Sequence, residues 1–309
     1  MKLKIAVVYA FHSPYCGPTY TIAALMRMGH DVDRLIPDQY FSSSPDKYDL
    51  FWCQDSGEGI DFRRADDAHL KKTSYWIWDS RFNRIQRQPI GDDDMAQLIS
   101  DNGGWVFQAQ TPDVDRLSRE RRLERMSWLP IGADPYLWEC EPVEDKIYPI
   151  SFVGNCYDNG RGAVLDYAVK ECGLHWPGPN GAFVGEAARV YRQSCAVLHV
   201  PTFYQLPHDA TGERIDYDLT MRPYEAMACG VPLVTPTLPD YAAVGFVEGQ
   251  HIFVYNQVEE IPVALGRAKV KAQSPDCRLN CRLLAENNSY ELRLQSAFTT
   301  LRRVGVLNA

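Results

Sequence analysis

Asp218-Leu-Thr-Met-Arg-Pro-Tyr-Glu-Ala-Met-Ala-Cys-Gly-Val-Pro-Leu-Val-Thr235 carries the densest run of structural signals in the chain. Pro223 is pre-set for the first turn of a helix, where its missing N–H costs nothing, and Arg222 just before it puts a cation beside the unpaired first-turn amides. Gly230 and Pro232 stop that helix after two turns, and the apolar run from Pro232 to Thr235 reads as a buried strand. Glu225 is expected in the first turn, where a carboxylate is favoured electrostatically and could accept hydrogen bonds from a ribose diol. A purely structural first-turn glutamate is an equal alternative. A two-turn helix feeding a short buried strand is half of an α/β repeat.

Working outward, the same grammar recurs on both sides. Upstream in the same half lie a strand at Ile150-Ser-Phe-Val-Gly, helices over Gly162–Glu171 and Glu186–Ser194, and a strand over Ala196–His199. The start of the chain is Lys4-Ile-Ala-Val-Val-Tyr-Ala, a continuous apolar run typical of a strand buried on both faces; it leads into a helix over Thr19–Met28, stopped by Gly29, and a second strand over Val32–Ile36. Strand, helix, strand at this spacing is a right-handed βαβ unit. Further strands are expected at Leu50–Cys53, Ser74–Trp78, Trp105–Gln108 and Met126–Leu129. Periodicity disappears between Gly132 and Tyr148, which places a linker there. The predicted fold class is α/β, two Rossmann-like domains with a cleft between them. Their bounds are 1–145 and 146–285, with a closing helix in 286–309 expected to pack back on the first domain.

Composition narrows the function. The 309 residues are 45% hydrophobic and 23% charged, ordinary globular proportions that exclude disorder and coiled coil. The net charge is -8, of which -7 lies in residues 1–145, so the second half is the better host for an anionic ligand. The first apolar run, Ile5–Phe11, is far short of a membrane span, and no small-residue cleavage pattern follows it. Nine cysteines, at 16, 53, 140, 156, 172, 195, 229, 277 and 281, form no Cys-x-x-Cys and have no histidine set beside them. Reduced thiols in a cytoplasmic protein are the expectation.

A second candidate segment is Ser151-Phe-Val-Gly-Asn-Cys-Tyr-Asp-Asn-Gly-Arg-Gly, where a strand ends at Gly154 and a helix begins near Gly162. Small residues let backbone approach a phosphate, helix amides face it, and Arg161 can add a bidentate ion pair. An ordinary turn accounts for this segment about equally well, since neither G-x-G-x-x-G nor a P-loop ending is present.

The run Arg222-Pro-Tyr-Glu-Ala-Met-Ala-Cys-Gly-Val-Pro-Leu-Val resembles the donor-binding signature of GT-B glycosyltransferases of the glycosyltransferase group 1 superfamily, and its arginine resembles the CgeB-like (spore maturation protein) variant. Leu129-Pro-Ile-Gly-Ala-Asp-Pro, Ile150-Ser-Phe-Val-Gly-Asn, Val244-Gly-Phe-Val-Glu-Gly-Gln-His-Ile-Phe-Val-Tyr and Asn288-Ser-Tyr-Glu-Leu-Arg resemble further family segments in the expected order, covering about 126–296. The resemblance implies a nucleoside diphosphate sugar, UDP-linked by preference, as co-substrate, with no separate cofactor. It implies donor-binding residues Gly154, Asn155, Arg161, Thr220, Arg222 and Glu225, with Glu225 on the ribose and Arg222 on the diphosphate. It also implies an acceptor hydroxyl approaching from the first domain. The chain departs from many relatives at Tyr217, between Asp216 and Asp218, where they carry a second glutamate.

Catalytic bases are sought at the carboxyl ends of first-domain strands. His12 and Asp79 stand there, each able to take a proton from an acceptor hydroxyl, against alternatives of a ligand-touching loop residue and a turn cap. His208 is a further candidate. Four Asp-x-Asp pairs, at 31/33, 92/94, 113/115 and 216/218, could hold a divalent cation, but solvated acidic loops account for them better, and the resemblance implies metal-independent transfer. Two arginine groups, Arg81, Arg84 and Arg87, then Arg116, Arg119, Arg121, Arg122 and Arg125, are either solvated helix charge or a face for an anionic polymer acceptor such as modified DNA. Trp76, Trp78, Phe82 and Trp105 nearby are expected in the core, the alternative being an exposed one that stacks on a sugar or a base. The function expected is transfer of a sugar, hexosyl in type, from nucleotide donor to hydroxyl; the alternatives are a non-catalytic nucleotide-sugar binding protein and a sugar-nucleotide epimerase on the same fold.

Overall fold

The computed structural model describes residues 2–9, 17–54, 60–78, 92–138, 145–154, 156, 161–176, 184–201 and 219–308. The chain divides into two compact units, one formed by Met1–Ile131 with Tyr290–Ala309 and the other by Gly132–Ser289.

The first unit is built on a six-stranded sheet. The chain runs through β1 (Lys4–Val8), α1 (Gly17–Arg27), β2 (Asp31–Leu35), α2 (Pro37–Ser42), β3 (Leu50–Gln54), α3 (Asp67–Lys71), β4 (Thr73–Ile77), α4 (Asp92–Asp101), β5 (Trp105–Gln108), α5 (Thr111–Glu120) and β6 (Met126–Trp128). The strand order is β2-β1-β3-β4-β5-β6 and every pairing is parallel. A parallel sheet is covered on both faces, so its strands read as unbroken apolar runs, and β3 and β4 are buried at every position. Side chains alternate between the faces. Ala6, Val8, Phe51, Cys53, Tyr75 and Ile77 join Tyr40, Met95, Ile99 and Leu117 in one core. Trp52 and Trp76 point the other way, where their rings meet Phe298 at 6.5 Å and Tyr290 at 6.1 Å on the closing helix Tyr290–Arg303. That helix is also tied to Ile131, whose carbonyl accepts from Arg293 Nε at 3.4 Å.

The second unit repeats the pattern with shorter strands: β7 (Ile150–Ser151), α6 (Arg161–Cys172), β8 (Leu174–His175), α7 (Val184–Arg192), β9 (Val197–Leu198), α8 (Met221–Ala228), β10 (Leu233–Thr235), β11 (Ile252–Val254), α9 (Ile261–Ala272) and α10 (Pro275–Glu286). The order β11-β10-β9-β7-β8, again all parallel, reverses direction between β7 and β9. Such a reversal opens a crevice at the carboxyl ends of the two strands, the usual ligand position of an open α/β sheet. Ile150, Phe152, Val164, Leu165, Leu198, Val234, Phe253 and Leu265 form the core beneath it.

Gly132–Trp138, where the fading periodicity predicts a linker, packs with this second unit instead. Ala133 N–H donates to Asn288 at 2.9 Å, and Trp138 stacks on Tyr191 with ring centroids 5.9 Å apart. The units therefore meet in the chain at 131/132 and 289/290. Among the described residues no helix is long and apolar enough to cross a membrane.

Candidate functional site

The three residues that leave β7, Phe152, Val153 and Gly154, are held from several elements at once. Arg222, at the second position of α8, donates from Nε to the Val153 carbonyl at 2.9 Å, and its guanidinium lies 4.5 Å from the centre of the Phe152 ring. Gly154 has φ +154°, and the Arg222 Nη2 atom occupies the space a Cβ there would need. The backbone angle favours glycine, and any side chain here would have to displace the end of the guanidinium. The Gly154 carbonyl accepts from the Trp176 indole N–H at 3.3 Å.

Arg161 approaches the same ring from the first residue of α6, 5.7 Å from its centre. It is buried, and it donates from Nη2 to the Val200 carbonyl at 2.9 Å and from Nε to that of Pro201 at 3.4 Å. Its observed role is to join the start of α6 to the exit of β9. Arg222 and Arg161 thus flank the reversal point of the sheet, the first at the mouth and the second inside it.

Helix α8 starts at Met221, two residues earlier than Pro223 suggests, with Thr220 as N-cap. Arg222 consequently lies within the first turn, and Glu225 lies beyond it, which corrects the expectation of a first-turn glutamate stabilised by the helix dipole. Glu225 is half-buried, and burial pushes its carboxyl up to about 7 although the Arg222 charge draws it down. A cation at a helix N-terminus opposes the macrodipole, so this end of α8 combines two positive features that favour an anion. The far end of α8 is closed by a Schellman turn: Val231 N–H donates to Ala226 at 3.0 Å and Gly230 N–H to Met227 at 2.8 Å, with Gly230 at φ +69°. Tyr191, buried on α7, lies against the Arg222 guanidinium, which lowers its hydroxyl against the larger upward push of burial.

Of the predicted donor-binding residues, Gly154, Arg161, Thr220 and Arg222 are brought to the carboxyl ends of β7 and β9 and the start of α8, and Glu225 lies further along α8, close enough to feel the Arg222 charge. Asn155 lies outside the described residues, as do the catalytic candidates His12 and Asp79, along with His208, Asp216 and Asp218. Phe152, Trp176 and Tyr191 were not singled out from the sequence. No motif marks them, and the one usable signal was an aromatic at the exit of a short strand.

The arginine groups behave differently from a continuous cationic face. Arg81, Arg84 and Arg87 lie outside the described residues. Arg116 is buried, pairing with Asp93 at 2.7 Å, Asp113 at 3.1 Å and Glu120 at 3.3 Å. Arg121 pairs with Asp94 at 2.9 Å, and Arg125 caps the carbonyls of Gly104 and Gly103 at 2.8 and 2.9 Å. Arg119 and Arg122 are exposed. The expectation of a solvated loop at Asp92-Asp93-Asp94 is corrected too: these residues open α4, with Asp92 accepting from the Tyr75 hydroxyl at 2.8 Å and the other two pairing with arginines.

Residues 141–295, half of the chain, match the family model described as glycosyl transferase-like. The chain belongs to the glycosyl transferase-like family. This glycosyltransferase also shares the GT-B fold with solved structures. It is similar to AviGT4, a glycosyltransferase involved in avilamycin A biosynthesis (14% identity, 98% of each chain covered, TM-score 0.63). It is similar as well to Alr3699/HepE of Anabaena in complex with UDP-glucose (11% identity, 97% of this chain and 100% of the other, TM-score 0.61) and to sucrose-phosphate synthase of Thermosynechococcus elongatus (12% identity, 98% and 100%, TM-score 0.59). Among curated protein sequences none matches. The family and the fold together make nucleotide-sugar transfer the activity of the chain, with the acceptor unspecified.

Proposed function

We propose that this glycosyltransferase takes a UDP-linked hexose and transfers the hexosyl group to an acceptor hydroxyl without a metal ion. The observation that carries the reading is the placement of Arg222: a guanidinium within the first turn of α8, fixed to Val153 and pressed against Gly154, at the carboxyl ends of β7 and β9. In this reading the diphosphate lies against Arg222, the Thr220 cap and the first-turn amides of α8, with Gly154 giving the backbone its close approach. Arg161 contributes by holding the crevice in shape, and Glu225 accepts hydrogen bonds from the ribose diol. As the sugar–phosphate bond breaks, charge builds on the leaving diphosphate, and a fixed cation with aligned amides stabilises it.

UDP is favoured because the Anabaena neighbour, of the same fold, was solved with UDP-glucose. Metal-free transfer is supported by the acids among the described residues. Asp31 pairs with Lys2, Asp33 with Tyr48 and Lys47, Asp92 with Tyr75, and Asp93 and Asp113 with Arg116. The first domain is assigned the acceptor and the second the donor, with His12 or Asp79 as the base, and the arginine before the Tyr-Glu pair supports the CgeB-like subtype. A cytoplasmic setting is supported by seven free cysteines among the described residues. An anionic polymer acceptor draws little support from the described residues, since Arg116 and Arg125 are turned to internal partners and Arg121 pairs with Asp94.

Calorimetry with UDP, GDP, ADP and dTDP and their glucose conjugates tests the reading. Binding of UDP and UDP-glucose, followed by slow release of glucose, is the expected result; binding of none of the eight, or of a purine nucleotide alone, overturns it.

A further inference from the structure

The exit of β7 is fixed on one side by α8 and on the other by the edge strand. β7 and β8 run parallel in the register Ile150 to Leu174 and Ser151 to His175, and the ladder makes one more rung, Phe152 N–H to the His175 carbonyl at 3.0 Å. The next bond between these two chain segments comes from a side chain. Trp176, directly after β8 and packed half-buried against the core, donates its indole N–H to the Gly154 carbonyl at 3.3 Å. One residue earlier the Val153 carbonyl is taken by Arg222 at 2.9 Å. Successive carbonyls are therefore held by an arginine and a tryptophan from different elements, at a glycine whose φ of +154° no other residue adopts readily.

We infer that Trp176 is a positioning residue for the donor diphosphate, acting through the Gly154 peptide. The assignment rests on the donor reading above. The bond to its carbonyl oxygen sets how the Gly154 backbone is turned at the strand exit. Losing that bond removes a restraint at a glycine, the residue that places the fewest limits on its own backbone. The indole ring can serve as core packing without its N–H, whereas orienting the peptide depends on the N–H alone. The diphosphate, which approaches the β7 exit, senses that orientation, and the nucleoside, assigned to Glu225, does not.

The test compares the unaltered chain with Trp176→Phe, which keeps a ring and removes the donor. Trp176→Leu, which also lacks a donor, serves as the second variant should the first not fold, with thermal unfolding as the check on both. UDP is titrated by calorimetry, uridine by ligand-observed NMR, and inorganic pyrophosphate by competition against UDP. The expected result is UDP and pyrophosphate binding weakened about 3- to 10-fold, the range of one hydrogen bond, with uridine binding unchanged. Equal loss for UDP and uridine would mean that the ring supports the site only structurally, and unchanged UDP binding would remove any role; either outcome overturns the assignment. If the unaltered chain binds uridine and UDP not at all, the donor reading itself fails and takes this assignment with it.

Discussion

Arg222 and Gly154 are shaped to one another: the guanidinium Nη2 fills the volume in which a Cβ on residue 154 would project, and the glycine φ of +154° keeps that volume open. Gly154→Ala is therefore expected to displace the arginine as well as strain the backbone, at a cost of roughly 1–3 kcal/mol. UDP-glucose binding should fall at least tenfold while the unfolding temperature drops by only a few degrees. An alanine variant that binds donor normally would show that the close approach is incidental.

Arg222→Lys keeps the charge and loses the rest. A lysine cannot reproduce the Nε bond to Val153 together with stacking on Phe152, because an ammonium is a point charge and not a planar fork. We expect UDP affinity to weaken by about 1.5–3 kcal/mol, the range for a hydrogen bond to a charged group. Calorimetry at two salt concentrations checks this, and retention of affinity in the lysine variant would reduce Arg222 to long-range charge.

With Glu225 on the ribose, donor binding is expected to depend on pH. Its carboxyl is pushed up to about 7 by burial, above the ordinary value of 4.5. If the ribose diol donates to the ionised form, UDP-glucose affinity rises as pH is taken from 6 to 8 and the slope vanishes in Glu225→Gln. Folding responds in the opposite sense. A carboxyl whose folded pKa is raised stabilises most below its unfolded value and loses that contribution as pH rises through about 7. Thermal unfolding of Glu225→Gln should therefore exceed that of the unaltered chain above pH 7, and the difference should shrink toward pH 4.5. A pH-independent difference would place the cost of Glu225 elsewhere.

Arg116 belongs to stability and not to ligand binding. Buried among Asp93, Asp113 and Glu120, it leaves uncompensated acids when removed, and Arg116→Ala is expected to destabilise the first unit by about 3–5 kcal/mol. Nucleotide binding at the second unit, measured below the unfolding transition, should stay within twofold. A large loss of UDP affinity in a folded Arg116→Ala protein would contradict this separation.

How much of this was legible depended on where the physical signal lies. The inner strands of the first unit announce themselves because burial on both faces demands runs such as Ile5–Val8 and Leu50–Cys53, whereas the edge strand β2 is partly exposed. The two-residue strand Leu174–His175 is too short to carry a period, whereas α9 and α10 do carry start signals, Pro262 and Ser274-Pro275, that the expectations above do not use. At the site, Arg222 and Glu225 were found through the Pro and Gly that bracket their helix, but a proline fixes a helix start only to within a turn, and the register of Glu225 was misjudged for that reason. Trp176 and Phe152 act through bonds and ring contacts between segments separate in sequence, which local spacing does not encode. The reading of Arg116 as surface charge failed similarly, because its partner Asp93 comes from another helix.

The brevity of β7, β8 and β9 has a consequence for how the second unit breathes. Strands of two residues supply few main-chain rungs, and Arg161 and Arg222 act as surrogate rungs by gripping the carbonyls of Val200, Pro201 and Val153. Amides in this half of the crevice should accordingly exchange with solvent deuterium sooner than those of the longer strands in the first unit. A bound diphosphate would then work as a splint, slowing exchange at the strand exits and coupling occupancy of the donor site to the rigidity of the sheet beneath it.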